Sequence, residues 1–541
     1  MFLQLLKLLL FIPINFIHLL NLKFKNLTNC NIKFSILIPW ILIWLFSFNF
    51  FLKIIPNYYS SNCSWNNHYK NIDAPILDNN LKNFNKFNDD YNPYHILLIA
   101  DPQLIDSHTY PGRNKLLLKL SEHVVDNYID RNFKSLSKTL NPDSIIFLGD
   151  YLDNGRSSDD GYFLTQLDRF NNIFKKYSKN TTELIFNVPG NHDIGFGDDV
   201  KINSRTRFTR LFNAEPNSII ERNNNELIFL DSISLNSYNN DNISLKSKLF
   251  LEKISNKEKS KTRILFHHVP LYRDKDLNKC GDLREDQSKP FPIVKGYQYQ
   301  TIIDASISEK ILNGIKPDLI FSGDDHDYCE VFHRYGDNGE NRIAPEVTVK
   351  SISMAMGIKR PAVQLLTLFN KKTDHIKIHD WSDETIINET SFNYNICYLP
   401  IPYHDSFIYG SLAILNLFFL FVYSILRVNS SGNISISNSN SSSNSNSPIS
   451  SSSTSTTTTS SPVSLPSSYK KLDNTLEIDM DDLSGNATIP AITNNNNIDE
   501  FPIESNSISI LQRMNIISFL IIGFTEFFIV LFIYCLSIYF N

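Results

Sequence analysis

The absences in this sequence narrow it first. Six cysteines in 541 residues are too few for a chain built on a disulfide scaffold. With 51 basic against 56 acidic residues, a net charge of -5, there is no basic surplus of the kind that holds phosphate backbones, which excludes nucleic acid as a partner. No acidic residue precedes Phe34, and Met1 to Leu20, though apolar, lacks a small-residue cleavage site. The mean hydropathy of -0.19 carries no apolar excess and by itself suggests a soluble protein. Length is ample, enough for about two to four domains at roughly 100–200 residues each.

The average conceals opposite materials. Phe34 to Leu52 is uncharged, carries Trp40 and Trp44, and ends at Lys53. Ser406 to Leu426 is uncharged and closes with Arg427, while Asn515 to Phe540 is interrupted by Glu526 alone. Each reaches the roughly 20 residues that cross a bilayer core. Transmembrane helices are therefore expected over 34–55, 406–428 and 515–540. Residues 1–33, with Lys7, Lys23, Lys25 and Lys33, read as a cytosolic basic, amphipathic lead-in, with a further span over Met1 to Leu20 as the alternative. That basic flank sets the N-terminus in the cytosol and residues after Ile55 in the lumen or outside. Sequons at Asn62, Asn180, Asn242 and Asn388 suit that side. Residues 429–468 are almost wholly Ser, Asn, Thr and Pro and, with the acidic stretch around Asp479, Asp481 and Asp482, predict a disordered loop over 429–514. What lies between the first two spans, 57–405, is the piece large enough for a catalytic domain.

Inside it one pattern recurs, a short apolar run followed by a polar cluster. Ile96-Leu97-Leu98-Ile99 leads into Asp101-Pro102-Gln103, and Ile145-Ile146-Phe147-Leu148 into Gly149-Asp150-Tyr151-Leu152-Asp153. Leu184-Ile185-Phe186 leads toward Gly190-Asn191-His192-Asp193, Ile264-Leu265-Phe266 into His267-His268-Val269-Pro270, and Leu319-Ile320-Phe321 into Gly323-Asp324-Asp325-His326. Continuous apolar runs of this length read as buried strands, whose carboxyl ends gather ligands in α/β sheets. Leu116, Leu117, Leu120, Val124, Val125, Ile129 and Phe133 keep the spacing of a covering helix. Any one cluster has an ordinary structural explanation: a turn before Gly155, a helix cap at Asn191, an interior histidine at 268. Five in order do not.

The ordered set resembles the calcineurin-like metallophosphoesterase superfamily, whose blocks run Asp-x-His, Gly-Asp-x-x-Asp, Gly-Asn-His-Asp, His-x-Pro and Gly-His-x-His. The second and third stand intact at Gly149 and Gly190, and the fourth is His268-Val269-Pro270, which makes His268 rather than His267 the ligand candidate. Gln103 and Asp324 stand where the first and last blocks carry His. Those departures, with Cys397-Tyr398-Leu399-Pro400, look like the fungal-type branch of the membrane-bound secretory-pathway phosphoesterases that remodel glycosylphosphatidylinositol (GPI) anchors. The resemblance covers about residues 95–400 and the flanking spans.

It implies an α/β four-layer sandwich, helices over two mixed β-sheets, plus transmembrane helices. It also implies two divalent metal ions, manganese in that branch. Asp150 bridges them; Asp101, His326 and the Gln103 side-chain carbonyl complete one set, and Asn191, His268 and Asp324 the other. Three carboxylates in place of two, with oxygen donors at 103 and 324, favour Mn²⁺ over Zn²⁺. His192 is expected beside the scissile phosphate as general acid or charge stabiliser, with Asp193 fixing its ring. Asp153 is expected to support a ligand from behind, a turn role ahead of Gly155 being the alternative. Arg156, Tyr272, Arg273 and Tyr328 are candidates to contact phosphate or glycan. Cys63, Cys280, Cys329 and Cys397 fall on the oxidising side, with their pairing open. The implied function is removal of ethanolamine phosphate from GPI-anchor mannose, supporting anchor remodelling and ER-to-Golgi transport. The implied substrate is GPI-anchored protein or GPI glycolipid, and the setting an endoplasmic reticulum or Golgi bilayer with a lumenal domain. Alternatives are a phosphoprotein or nucleotide phosphoesterase, and a non-catalytic membrane cargo factor. The processed mannose, the compartment and the oligomeric state stay open.

Overall fold

The computed structural model describes residues 38–65, 93–177, 182–274, 277–287, 291–336, 341–370, 391–437 and 516–539. The expected lead-in over 1–33 and most of the expected loop over 429–514 lie outside them.

The five apolar runs become strands. They are β1 (Tyr94–Ile99), β2 (Ser144–Phe147), β3 (Glu183–Ile185), then, after β4 (Ser218–Arg222) and β5 (Asn225–Phe229), β6 (Thr262–Phe266), and, after the short β7 (Lys295–Gly296) and β8 (Tyr299–Gln300), β9 (Leu319–Ser322). β10 (Cys329–Tyr335), β11 (Arg342–Thr348), β12 (Ala362–Leu368) and β13 (Phe392–Tyr398) follow. One mixed sheet orders β13-β12-β1-β2-β3 and the other β10-β11-β9-β6-β5-β4, with β7 and β8 pairing as a hairpin. In the first, β1, β2 and β3 run parallel, and β12 pairs antiparallel with both β1 and β13.

Alternation along each strand builds the layers. Ile96 and Leu98 join Ile146, Leu148, Leu227, Phe229, Phe266 and Phe321 in the core between the sheets. Leu97 and Ile99 point the other way, into a core shared with Ile129, Phe133 and Leu136 of the helix Lys115–Leu140. A strand buried on both faces has no reason to alternate polar and apolar, so it reads as a continuous run. The expected covering helix differs at its start. Val125, Ile129 and Phe133 are buried, but Leu116, Leu117 and Leu120 are exposed. At 1.5 Å per residue its length is about 39 Å against about 20 Å for the strand beneath, so its first turns overhang the sheet.

Among the described residues, two helices are long and apolar enough to cross a membrane, Ile38–Ser61 and His404–Tyr423. The first runs past the expected end at 55. Its Phe50–Ile54 stretch is π-helical, a widening that accommodates the missing N–H of Pro56 in the turn that follows. Its last turn docks on the α/β body, where the Ser60 hydroxyl lies 2.7 Å from that of Ser135, and Cys63 is disulfide-bonded to Cys397 on β13. Cys280 pairs with Cys329, which settles the pairing that spacing alone left open. The helix begun at His404 continues to Ser437, into the stretch expected to be loop from 429. Extending an existing helix costs far less than starting one, even through Ser and Asn. A further helix spans Ile516–Tyr539, and its apolar core among the described side chains is Gly523–Cys535.

Candidate metal centre

The strand ends bring the polar blocks together. β1 and β2, of one sheet, lead into Asp101, Gln103, Asp150 and Asp153, while β6 and β9, of the other, lead into His268, Asp324 and His326. Asn191 and His192 open a short helix, Asn191–Ile194, after β3. Close approach dictates the glycines. A Cβ on Gly149, at φ +101°, would sit 2.4 Å from His268 Nδ1, and one on Gly190 would sit 2.0 Å from Asp150 Oδ1. Asp101, Gln103, Asp150, Asp324 and His326 themselves have φ of 46°, 34°, 53°, 68° and 65°. Each such non-glycine residue costs on the order of 1–3 kcal/mol, and this kind of strain gathers at functional sites.

His268 is the hub. Its Nδ1–H donates to the Leu148 carbonyl at 2.6 Å, which fixes the tautomer and turns Nε2 the other way. Nε2 lies 3.2 Å from Asn191 Oδ1, 3.4 Å from Asp150 Oδ1 and 3.6 Å from Asp324 Oδ1. Ligand atoms of Asp101, Asp150 and His268 all fall within 4.8 Å of one another. Burial by itself would lower the His268 pKa, but Asp150, Asp101 and Asp324 carry it up to about 10. Burial, with the neighbouring carboxylates, pushes Asp101 well above its usual range and Asp324 up to about 7. Asp150 is also desolvated, yet His268 and His192 hold it well below. Burial lowers His326 to about 4, with Asp150, His192 and His268 among the charges acting on it.

The donor set fits a divalent cation. Asp101 Oδ2, Gln103 Oε1 and Asp324 Oδ2 are buried without a hydrogen-bond partner. Interiors rarely leave polar atoms in that state. Carboxylate and amide oxygens with the His268 imidazole form a donor set that suits a cation of manganese-like hardness. Asp101, Gln103, Asp150, Asn191, His268, Asp324 and His326 are the residues that could hold it.

His192 stands beside them, held otherwise than expected. Its Nδ1 is 2.6 Å from the Asp153 carbonyl oxygen. A carbonyl only accepts, so Nδ1 carries the proton and the Nε2 lone pair faces the Gln103 amide nitrogen at 3.2 Å. That amide is oriented by donating to Asp153 Oδ1 at 2.9 Å, which leaves Oε1 as its free acceptor. Thr109 Oγ1 donates to Asp153 Oδ2 at 2.8 Å, and His108 Nδ1 lies 3.0 Å from the same oxygen. Asp153 is thus bonded on both oxygens. Asp193 does not fix the His192 ring: its carboxylate accepts from the Gly190 N–H at 2.8 Å and the Tyr151 N–H at 3.1 Å. The third residue of a helix points back at the cap, which takes Asp193 under the turn. Burial and the Asp150 charge push its pKa up to about 7.

The candidates for substrate contact divide. Arg156 is at the cluster, donating to the Asn191 carbonyl at 3.0 Å. Arg273 is not: its guanidinium is fully buried, pairs with Glu346 at 2.9 Å and lies over the Phe291 ring. Tyr328 is buried as well, its hydroxyl donating to Glu330 at 3.0 Å. Tyr272 lines a surface cavity of about 360 Å³ with Ser308, Leu312 and His333, and no residue of the cluster borders it. All three follow a ligand block closely in sequence, but a neighbour in a strand or turn faces elsewhere. Sequence reasoning also misses His108 and Thr109, whose one local signal is the turn in which Asp106 Oδ1 accepts from the His108 N–H at 2.7 Å. It misses Ser351, whose hydroxyl donates to the Asp101 carbonyl at 2.7 Å. Tyr299 is the last omission. Burial first, then the charges of Asp324, Asp325 and Asp150, raise its phenol to about 12.

Residues 94–328 match the family of calcineurin-like phosphoesterases. Those residues form a calcineurin-like metallophosphoesterase domain within the longer chain. Among similar proteins, Cell division control protein 1 of Saccharomyces cerevisiae is 42% identical over 316 residues, covering 57% of this chain and 62% of that protein. Metallophosphoesterase 1 of Gallus gallus is 29% identical over 245 residues, covering 42% of this chain and 58% of that protein. The Xenopus laevis protein of the same name is 30% identical over 252 residues, covering 42% and 59%. The chain thus spans about three-fifths of the length of the curated relatives it matches. The metallophosphoesterase domain accounts for the arrangement at the strand ends and for the Gly149 and Gly190 contacts.

Proposed function

We propose that this chain is a divalent-metal phosphodiesterase of the secretory pathway that removes ethanolamine phosphate from a GPI-anchor mannose. The observation that carries the hydrolytic reading is the set of partnerless buried oxygens of Asp101, Gln103 and Asp324 around His268 and Asp150. The substrate is supported by the resemblance of the blocks, while similarity to Cell division control protein 1 and Metallophosphoesterase 1 supports the phosphoesterase class. The apolar helices flanking the domain and its two disulfides suit a membrane-held domain on the oxidising side. GPI-anchored proteins or the free glycolipid are then the substrate, and the endoplasmic reticulum or Golgi the compartment.

Two cations, manganese by preference, supply an activated water and neutralise charge on the phosphoryl oxygens when bound. Asp101, Asp150, Asp324, Asn191, His268, His326 and Gln103 hold them. His192 moves the proton. With Nδ1–H committed to the Asp153 carbonyl, its Nε2, protonated from solvent, gives that proton to the mannose oxygen as the bond from phosphorus to that oxygen breaks, while the proton of the attacking water leaves to solvent. Asp153 Oδ1, 3.5 Å from Nδ1, stabilises the charged ring in between. Arg156 stands at the edge of the cluster to pair with a phosphoryl oxygen.

The test uses the full-length protein in detergent with Mn²⁺ and a mannose-linked ethanolamine phosphate. Release of ethanolamine phosphate, lost on chelation, is expected. Cleavage of a phosphopeptide or nucleotide diester in its place replaces the substrate, and cleavage of nothing points to the cargo-binding role.

A further inference from the structure

The chemistry of the cluster makes no use of the segment Phe291 to Ile303, yet that segment is fastened at both ends to the blocks that build the site. At its base, Phe291 and Ile302 pack with Cys329 and Val331, just beyond His326. The Ile303 N–H donates to the carbonyl of Pro270, in the block of His268, at 2.8 Å. Arg284 lies over the Phe291 ring and pairs with Asp325. At the tip, the turn of the β7–β8 hairpin, Gln298 stands at φ +55° and donates from Nε2 to the Asp199 carbonyl at 3.1 Å. Lys201 Nζ, from the same stretch, lies 3.4 Å from the Tyr297 hydroxyl. Asp199 and Lys201 belong to the chain that continues from Asn191 and His192. A hairpin moored to the β6 and β9 blocks at its base and to the segment after the β3 block at its tip bridges the groups that border the cluster.

Along β8 the residues alternate. The Gln300 side chain is buried and donates to Asp304 at 2.6 Å, so Tyr299 faces the other way. Tyr299 remains 36% exposed, and the carboxylates that act on it belong to Asp324, Asp325 and Asp150. Tyr297, 71% exposed at the tip, extends the aromatic edge. Val294 and Thr301 exchange hydrogen bonds at 2.9 and 3.1 Å, bracing the hairpin below.

We propose that Tyr299 is a substrate-positioning residue whose ring forms the wall against which the sugar bearing the scissile phosphodiester lies. This rests on the reading of the site as a glycan phosphodiesterase. An aromatic face packs on the C–H surface of a sugar ring, and the neutral hydroxyl donates to a sugar oxygen without repelling the phosphate. A small alcohol on the same phosphodiester leaves the wall untouched, so Tyr299 selects for the sugar.

Two substrates with the same leaving chemistry separate the idea from its foundation: mannose-linked ethanolamine phosphate and glycerophosphoethanolamine. Both are measured on the full-length protein with Mn²⁺, for wild type, Tyr299→Ala, Tyr299→Phe and Gln298→Ala. Tyr299→Ala is expected to lower the ratio of kcat/KM, mannose over glycerol substrate, about tenfold, chiefly through KM. Tyr299→Phe keeps the ring and is expected to keep most of that ratio, while Gln298→Ala, which frees the tip, falls between. An unchanged ratio in Tyr299→Ala, whether both activities hold or both fall, overturns the role of Tyr299 and leaves the substrate reading standing. A wild type that cleaves the glycerol substrate and not the mannose one overturns both.

Discussion

Behind the strand ends of one domain lie two buried ionic groups of different kinds. Around Glu346, on β11, both carboxylate oxygens accept hydrogen bonds, one from His333 Nε2 at 2.6 Å and the other from the Ser322 hydroxyl at 2.8 Å and the Leu271 N–H at 3.1 Å, and Arg273 Nη2 balances the charge as an ion pair at 2.9 Å. Although burial works against it, Arg273 and His333 hold this carboxyl well below its usual range. Around His268, three carboxylates share one imidazole, two of them keep a partnerless oxygen, and burial pushes Asp101 and Asp324 up instead. Both groups pay the desolvation of buried charge. The first recovers it within the chain and serves the fold. The second is short of positive charge, and what it lacks is what a divalent cation supplies. Histidine fits the contrast too. His268 is raised to about 10, whereas its neighbour His267, facing Ser232 and Glu346, is lowered by burial to about 4.

The sharpest way to break this contrast is to delete one anion from each group. Asp150→Ala should lower phosphodiester hydrolysis by about 10³-fold or more and reduce bound metal, with the denaturation midpoint of the chelated protein shifting little. Steady-state kinetics and metal analysis of the purified protein check it. Glu346→Ala should do the reverse. It strands Arg273 in the interior and should cost about 3–5 kcal/mol in urea unfolding, while the folded fraction still binds metal. A Glu346→Ala protein of normal stability that had lost its metal would erase the distinction.

Metal removal gives the next largest effect, and its sign follows from Asp324. An acid raised to about 7 in the fold contributes stability that is complete below its unfolded value and is lost as pH rises through 7. The chelated protein should therefore lose stability between about pH 4 and 7, and Asp324→Asn should flatten that slope. His326, lowered to about 4, runs the other way, losing stability as pH falls from its unfolded value of about 6.5. It is common to both proteins and cancels in their difference. Restoring Mn²⁺ keeps Asp324 ionised and should reduce the slope in the wild type, Asp193, also raised to about 7, keeping its own share, as urea midpoints across the range will report.

The same contrast explains what the sequence disclosed. β1, β2, β3, β6 and β9 are legible as apolar runs because both their faces are buried. β12, equally buried, carries Gln364 and Thr367 inside and reads as no clean run. The site blocks are legible because sterics fixes them: no other residue than glycine fits at 149 or 190 without a clash. Which way a neighbouring side chain turns is another matter. Asp193 and Arg273 each stand close to a candidate ligand in sequence, yet one caps a helix and the other anchors Glu346. His108 meets Asp153 from a loop whose residues show no periodicity. Such contacts are set by tertiary placement, and local pattern does not carry them.

Gln103 is where the two kinds of group come closest, and substituting it should give the smallest effect. Its amide nitrogen completes bonds within the chain, to Asp153 Oδ1 and toward His192 Nε2, while its oxygen is left without a partner. Gln103→His keeps a donor for a cation but exchanges oxygen for nitrogen, at a φ of 34° that histidine tolerates better than most residues. It also takes from Asp153 the hydrogen bond that the amide provides. Competition binding should then shift several-fold, roughly, toward Zn²⁺ relative to Mn²⁺. Turnover with saturating Mn²⁺ should fall by a similar few-fold as the Asp153–His192 pair loosens. If turnover falls and metal preference does not move, Gln103 belongs with the Glu346 kind, a residue that satisfies the chain. If both move together, one side chain serves the cation with its oxygen and the proton-transferring histidine with its nitrogen.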